Sequence, residues 1–533
     1  MERLRSLTYR VCRYPRLGAL GLGAISATGF QPLGLWPLAL LAVGLLGLLI
    51  QRCETVRGTF LIGWLFGLGH FTLGNSWIAT AFTYQANLPV ALGWPAVPVI
   101  AAYLAIYPGL AAMGAKVLSQ GRGGWALALG FAGCWIVAEW LRSWVMTGYA
   151  WNPLGAVLLG PFDRPGLAML APFMGTYALS GIAVLIGACI VLLLSNRRWP
   201  GAIALALLTA VGMYWPAGEG AQGTLAVTIA QPDIRQERLS NPQYYEANYQ
   251  RLAQLSAPER GARNAAGPRL VLWPESGLVD YLQDGYPQHY YDATTALGSP
   301  EYARRRIGGA IGEGSLLLTG AIDLEIGEDE MGIVRATGAY NSITALTGEG
   351  EIVGSYAKAH LVPFGEYLPL RGLLEPLGLS RFVPGAIDFV PGPGPRTLGL
   401  GPWGEAGMLI CYEIIFSGQV VDPTNRPDYI FNPSNDGWFG ASGPPQHFAQ
   451  ARLRAIEEGL PVLRATTTGI SGIVDARGVV RAFAPTHEMK RLDATIPPAA
   501  APTLFARLGN WLALGWAMLF LGLARVALRL RCV

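Results

Sequence analysis

Three groups of different chemistry, Glu275, Lys358 and Cys411, each follow an apolar stretch of the chain. Glu275 lies in Leu-Trp-Pro-Glu-Ser, Lys358 in Ala-Lys-Ala-His-Leu-Val-Pro-Phe-Gly-Glu-Tyr, and Cys411 in Ile-Cys-Tyr-Glu. Brought together, they suit acyl transfer. A thiol with a pKa of about 8.5 is only slightly ionised at neutral pH, so it needs an adjacent base or cation to act as a nucleophile. A carboxylate supplies the base, and an ammonium supplies positive charge where an oxyanion develops. Taken singly, each residue has an ordinary explanation. A Glu or Lys at a strand end is commonly solvated or ion-paired, and a lone Cys is commonly a small core residue.

The elements around these residues predict that they converge. Leu225–Ala230, Leu270–Leu272, Leu316–Gly320, Ser342–Leu346, Gly407–Ile410 and Tyr429–Phe431 read as short buried strands bounded by turn residues. Helical patterns fall between several of them, clearest over Pro242–Leu255 and Gln446–Glu458. Strands alternating with helices make an α/β layered sandwich, and such folds gather their chemistry at strand ends. Residues 224–495 form this domain, between the small-residue joint Ala217–Gly223 and the Pro/Ala-rich stretch Ile496–Pro502.

The rest of the chain has a different composition. Of 533 residues, 52% are apolar and only 14% charged, well off the balance of a soluble protein. The apolar residues concentrate at 17–31, 33–50, 58–82, 95–118, 125–146, 168–194, 200–216 and 504–524, eight runs near the length that crosses a bilayer. The domains expected are therefore a membrane domain over 1–216, about seven spans, the α/β domain over 224–495, and a C-terminal span at 504–524. The first segment has no small-residue cleavage site and reads as retained.

Loop charge predicts the orientation. With the N-terminus cytoplasmic, that side carries Arg3, Arg5, Arg10, Arg13, Arg16, Arg52, Arg57, Lys116, Arg122, Arg197, Arg198, Arg525, Arg529 and Arg531, whereas the opposite short loops carry only Arg164. This bias puts both termini inside and the α/β domain outside the cytoplasm. A net charge of +4, in short clusters, argues against nucleic acid as a partner. Of six cysteines, Cys12, Cys53, Cys134, Cys189 and Cys532 lie in or beside the runs, leaving Cys411 alone in the outer domain, where an oxidising compartment would favour pairing.

Polar residues inside spans need partners. His70, Asn75, Glu139 and Arg142 either satisfy one another in the bundle interior or line a lateral entrance for a polar lipid headgroup. The stretch Leu370–Val390, rich in Leu, Pro and Gly, is either a mobile arm touching lipid or a buried loop.

In the order Glu, Lys, Cys, these motifs, with Asn-Pro-Ser-Asn-Asp-Gly-Trp-Phe-Gly after them, resemble the nitrilase (carbon-nitrogen hydrolase) superfamily over residues 224–495. Within it they look like the apolipoprotein N-acyltransferase family, and there the resemblance extends to the whole chain. It implies a polytopic α-helical membrane domain joined to an extracytoplasmic αββα sandwich, in the bacterial inner membrane with the α/β domain periplasmic. It implies a phospholipid, typically phosphatidylethanolamine, as acyl donor, and the N-terminal amine of a diacylated apolipoprotein as acceptor, with a Cys411 thioester between two half-reactions. Glu275 then serves as general base, Lys358 as oxyanion stabiliser and Cys411 as nucleophile. Glu366, eight residues past the lysine, matches a second essential glutamate, and Tyr412, Glu413 and Trp438 match supporting positions. His447, in Gln-His-Phe, reads as a structural hydrogen-bonding residue. This chain departs from the family where some members carry a tryptophan near Arg238–Ser240, and where others have paired asparagines it has Thr466–Thr468.

Two other readings use the same residues. A membrane-anchored nitrilase-type amidohydrolase would admit water to the thioester, and an inert binding module would lack a member of the triad. A transporter would show an inverted repeat, and none is evident. No metal-ligand spacing and no phosphate-binding glycine loop occurs, so no cofactor is implied.

Overall fold

The computed structural model describes residues 14–84, 89–258, 268–328, 332–374, 376 and 389–530. Among the described residues, the apolar runs before the α/β domain hold eight main helices: α1 (Pro15–Ala27), α2 (Trp36–Arg52), α3 (Val56–Gly74), α4 (Gly93–Leu104), α5 (Ile106–Leu118), α6 (Trp125–Arg142), α7 (Ala171–Ser195) and α8 (Trp199–Met213). The run expected over 58–82 stops at Gly74, and that at 95–118 is interrupted at Ala105. Pro108 lacks the N–H that would bond Leu104, which accounts for the second break. Three helical runs, Val90–Leu118, Leu167–Ser195 and Asn510–Arg529, are long and apolar enough to cross a membrane, and Trp36–Arg52 and Trp199–Met213 are shorter apolar helices. Glycines let these helices approach closely. A Cβ on Gly44 would collide with the Gly187 backbone of α7, and one on Gly23 with Phe66 of α3.

The α/β domain is two six-stranded sheets face to face. The first holds β1 (Ala226–Gln231), β2 (Arg269–Leu272), β3 (Ser315–Glu328), β4 (Val334–Thr347), β5 (Ile352–Ala357) and β12 (Lys490–Thr495), in the order β12-β1-β2-β3-β4-β5. The second holds β6 (Arg396–Gly399), β7 (Glu405–Met408), β8 (Tyr429–Ser434), β9 (Val462–Thr466), β10 (Ser471–Val474) and β11 (Val480–Ala484), in the order β11-β10-β9-β8-β7-β6. Within each sheet the central pairs are parallel, β1–β2 and β2–β3 in one, β7–β8 and β8–β9 in the other.

Period-two alternation separates the faces. Val227, Ile229, Leu270 and Leu272 meet Met408, Phe431, Leu463 and Ile473 between the sheets. Ala230, Val271 and Leu317 face outward and are covered by α9 (Tyr245–Ser256) and α10 (Pro300–Ile311). On the far side lies α11 (Gly443–Glu458), giving the layers helix, sheet, sheet, helix. Six strands escaped the sequence pattern, for a physical reason in each case. β9 carries the buried Arg464, β5 and β11 alternate with exposed positions, Val353 and Ser355 in one and Arg481 and Phe483 in the other, and β6, β10 and β12 are short or charged.

Helix α11 is buried on both sides. Phe448, Ala451 and Ala455 pack on the second sheet, while Ala449, Leu453 and Ile456 join the core of the helical half. The chain then returns to that half through α12 (Asn510–Arg529), which packs on α6 and α7. Of the apolar stretch 370–390, residues 375 and 377–388 lie outside the described residues, while Leu370 and Leu373 are exposed.

Candidate active site

Glu275 follows β2, Lys358 follows β5 and Cys411 follows β7, and the two sheets bring these three strand ends together. The Lys358 ammonium lies 3.8 Å from Glu275 Oε1 and 2.9 Å from Glu366 Oε2. Glu366 also accepts from the Val362 N–H at 2.8 Å, so its loop is folded back onto the lysine. The Asn341 amide donates to Glu275 Oε1 at 2.7 Å and to Glu366 Oε1 at 2.8 Å. Glu275 Oε2 accepts from the Asn435 N–H at 2.8 Å. All of these groups are buried.

Burial opposes a charged lysine, but the carboxylates of Glu366 and Glu275 outweigh it and hold the Lys358 ammonium well above its usual range. The Cys411 thiol is also pushed up, first by burial and then by the charge of Glu275, with Lys358 pulling the other way. The thiol therefore favours its protonated form beside a carboxylate, and any nucleophilic use of the sulfur requires that proton to move.

Cys411 has φ 49°, in the left-handed region that costs a non-glycine residue about 1–3 kcal/mol. It opens a tight 3₁₀ turn, Cys411–Ile415. Glu413 holds that turn, one oxygen accepting from the Ile410 N–H at 2.7 Å, the other from the Ala359 and His360 N–H groups at 2.8 and 3.1 Å and from the Tyr356 hydroxyl at 2.8 Å. Burial pushes the Glu413 carboxyl up against these donors. Glu413 thereby ties the cysteine turn to the lysine loop. Tyr412 points away from this junction, its hydroxyl donating to the Gly148 carbonyl at 3.3 Å. Trp438 is half-buried and lies edge-on to Tyr84, with ring centroids 5.8 Å apart.

Beneath the cysteine lies a polar cluster. His447 Nε2 is 3.1 Å from the Cys411 carbonyl, which can only accept, so Nε2 carries the proton. Burial and the neighbouring Arg464 hold the ring below its usual pKa, with Asp436 pulling the other way, and Nδ1 lies 2.9 Å from Arg464 Nη2 and 3.0 Å from Asp436 Oδ1. Arg464 also bonds both oxygens of Asp436, at 2.9 and 3.0 Å. Against the cost of burial, Arg464 and His447 keep the Asp436 carboxyl well below the usual carboxylate range.

Known proteins divide the chain where its two halves divide. Residues 22–189 match the apolipoprotein N-acyltransferase N-terminal domain, and residues 226–503 match the carbon-nitrogen hydrolase family. An apolipoprotein N-acyltransferase of Allorhizobium ampelinum is 33% identical over 94% of this chain and 94% of its own length. Those of Agrobacterium fabrum and Caulobacter vibrioides are each 35% identical, over 90% and 92% of this chain and 89% and 91% of theirs. This chain belongs to the apolipoprotein N-acyltransferase family. It is accordingly an acyltransferase with a nitrilase-type domain.

In this family member three of the four polar residues singled out in the helical half serve the segment that meets the α/β domain. Glu139 accepts from the Leu154 N–H at 2.7 Å and from Trp135 Nε1 at 3.1 Å, and Arg142 donates to the Tyr149 and Trp151 carbonyls, both at 2.8 Å. Asn75 accepts from the Tyr149 hydroxyl at 3.0 Å, and His70 Nδ1 meets the Ser26 hydroxyl at 2.6 Å. Three of the four thus hold the segment 149–154, which lies under the cysteine turn.

Sequence reasoning missed Asn341, Arg464, Trp151 and Gln446. Arg464 is the one charge in β9, and that interruption was the available signal, whereas Asn341 stands beside Ser342 and Thr344 in β4 and nothing local sets it apart. Asn432, Ser434, Asn435 and Asp436 lie inside the Asn-Pro-Ser-Asn-Asp-Gly motif, whose residues had no individual roles.

Proposed function

We propose that the chain moves a fatty acyl group from a membrane phospholipid, typically phosphatidylethanolamine, to the N-terminal amine of S-diacylglyceryl-cysteine in apolipoproteins, using Glu275, Lys358 and Cys411. The observation that carries this reading is the buried meeting of a carboxylate, an ammonium and a strained cysteine at three strand ends. Glu275 takes the thiol proton as Cys411 sulfur attacks the ester carbonyl. Lys358 opposes the charge of the tetrahedral oxyanion. Collapse breaks the ester C–O bond, and the lyso-phospholipid alkoxide leaves with the proton from Glu275, giving a thioester. The neutral amine then attacks the thioester, Glu275 accepts its proton, and the proton passes to the departing Cys411 sulfur. The net change is one acyl group moved, with no proton gained or lost by the enzyme.

Both substrates are membrane-anchored, which suits a catalytic domain joined at each end to apolar helices and so confined to a bilayer surface. The reading includes a bacterial inner-membrane location, with the helices spanning, the termini cytoplasmic and the catalytic domain periplasmic. Glu366 sets the charge of Lys358, Glu413 holds the nucleophile turn, the Tyr412 N–H aids Lys358 at the oxyanion, and Trp438 guides the acyl chain. The test is mass spectrometry of the full chain in phosphatidylethanolamine micelles, with a diacylated lipopeptide added second. A fatty-acyl mass on the Cys411 peptide, discharged onto the lipopeptide amine and lost in Cys411→Ala, is expected. Discharge to water alone would instead establish an amidohydrolase.

A further inference from the structure

The left-handed backbone of Cys411 needs something to hold it, and the groups that do so come from the helix that docks on the other half of the molecule. The Cys411 carbonyl receives the His447 Nε2 proton at 3.1 Å, with Asn432 Nδ2 further off at 3.4 Å. His447 is wholly buried and lies in the first turns of α11. Its partner on the opposite side, Arg464, is wholly buried too, and is fastened to Asp436 and to Asn432. Every rotation of the imidazole therefore breaks a buried polar contact.

The residue before it faces the helical half. Gln446 Oε1 accepts from Trp151 Nε1 at 2.9 Å and from Asn152 Nδ2 at 3.0 Å. The Trp151 ring also lies against the His447 ring, centroids 5.1 Å apart and planes at 44°. Trp151 is itself wholly buried, and its carbonyl is held by Arg142 of α6 at 2.8 Å. A continuous set of buried contacts thus runs from α6 through Trp151 to Gln446 and His447, ending on the carbonyl of the nucleophile. None of these side chains has a place in the proton or charge transfers of the reaction.

We propose that His447 is a positioning residue that fixes the strained backbone of Cys411, and that Trp151 of the helical half holds His447 in register. The nucleophile is in attacking geometry because the two halves are docked. This rests on the reading of Cys411 as nucleophile. A hydrogen bond to a backbone carbonyl acts on attack alone, so its loss slows acylation of Cys411 without weakening lipopeptide binding.

The experiment uses the full chain in phosphatidylethanolamine micelles. It follows the rate at which the acyl mass appears on Cys411, together with kcat and KM for a diacylated lipopeptide. His447→Ala is expected to slow acylation by at least about tenfold, the effect of one lost hydrogen bond, with kcat falling and kcat/KM for the lipopeptide unchanged, because the lipopeptide meets a thioester already formed. His447→Gln, whose amide can reach the same carbonyl, recovers most of the rate. Trp151→Phe keeps the ring but loses the bond to Gln446, and it slows the same step from the helical half. Wild-type acylation in a folded His447→Ala, or a His447→Gln as slow as the alanine variant, overturns the positioning role. Should His447→Ala fail to fold, the glutamine and Trp151 variants decide: wild-type acylation in Trp151→Phe removes the coupling between halves. An absence of acyl-Cys411 in the wild-type chain is a separate result, and it overturns the nucleophile reading itself.

Discussion

The Lys358 ammonium is 2.9 Å from Glu366 and 3.8 Å from Glu275, so the glutamate eight residues along the chain, rather than the one across the sheet, is its close ion-pair partner. Glu275 takes one hydrogen bond from a neutral donor on each oxygen and has no ion pair as short, so it is the carboxylate to which we assign the proton transfer. Glu275→Gln is therefore expected to cut acyl transfer by at least about 10²-fold, the scale of a lost general base. Glu366→Gln retains measurable transfer. Comparing initial rates of lipopeptide acylation checks this; equal losses in the two variants would show that the carboxylates do not divide their roles in this way.

Glu366 is the strongest influence holding the lysine charged, ahead of Glu275. In Glu366→Gln the lysine loses its proton at lower pH than in wild type, and activity that requires the ammonium then falls away earlier as pH rises. The alkaline limb of kcat/KM moves down in pH in this variant. An alkaline limb that stays in place would mean that Lys358 does not need its charge.

Replacing Lys358 by Met leaves Glu275 and Glu366 as two buried carboxylates bridged only by the Asn341 amide. Uncompensated buried charge of this kind costs about 3–5 kcal/mol, so the melting temperature falls. Removing the second charge as well, in Lys358→Met with Glu366→Gln, raises the melting temperature above the single variant while activity stays lost. A double variant no more stable than Lys358→Met would count against the ion pair as the source.

Docking of the two halves places an acid on a broken helix. Gly175, at φ 79° and ψ 165°, interrupts α7, and the Thr176 N–H freed there is taken by the buried Glu457 carboxylate, which also accepts from the Ser417 hydroxyl at 2.8 Å. Arg454 lies 3.1 Å from its other oxygen. Glu457→Ala strands the Arg454 guanidinium and opens the helix start, at a cost of about 3–5 kcal/mol. Hydrogen exchange at the Thr176 amide is expected to accelerate strongly. Unchanged protection at that amide would show that the contact does not hold the halves together.

Glu458, buried beside Glu457, has its carboxyl pushed up to about 7 from an ordinary 4.5, by burial first and then by the charge of its neighbour. The folded chain holds this proton where the unfolded chain has lost it, so stability falls as pH rises from about 4.5 to 7. The penalty is absent below that window and reaches about 3 kcal/mol above it. Glu458→Gln removes it. The melting temperature of the variant should exceed that of wild type at pH 8 and match it near pH 4.5; a gain of equal size at both would point to packing instead.

Much of this protein can be read from its sequence because the signals are local. Apolar runs without charge, alternating strand faces, and Glu275 and Cys411 each placed just past a strand all follow from residues within a turn or two of one another, whereas β5, which leads directly into Lys358, was not legible. So does Glu366, because a loop of eight residues can fold back on its own lysine. Partners distant in the chain were not legible. Asn341 bridges two carboxylates 66 and 25 residues away, and Trp151 bonds Gln446 across 295 residues. A buried polar side chain must find a hydrogen-bonding partner, yet the sequence states only that it has one to find. Which carboxylate neutralises Lys358, why His447 stands under Cys411, and how Glu139 and Arg142 are used depend on distances set when two sheets, α11 and the helical half pack together. The local pattern determined the chemistry at hand, and only the packing of distant segments decided which group each charge would meet.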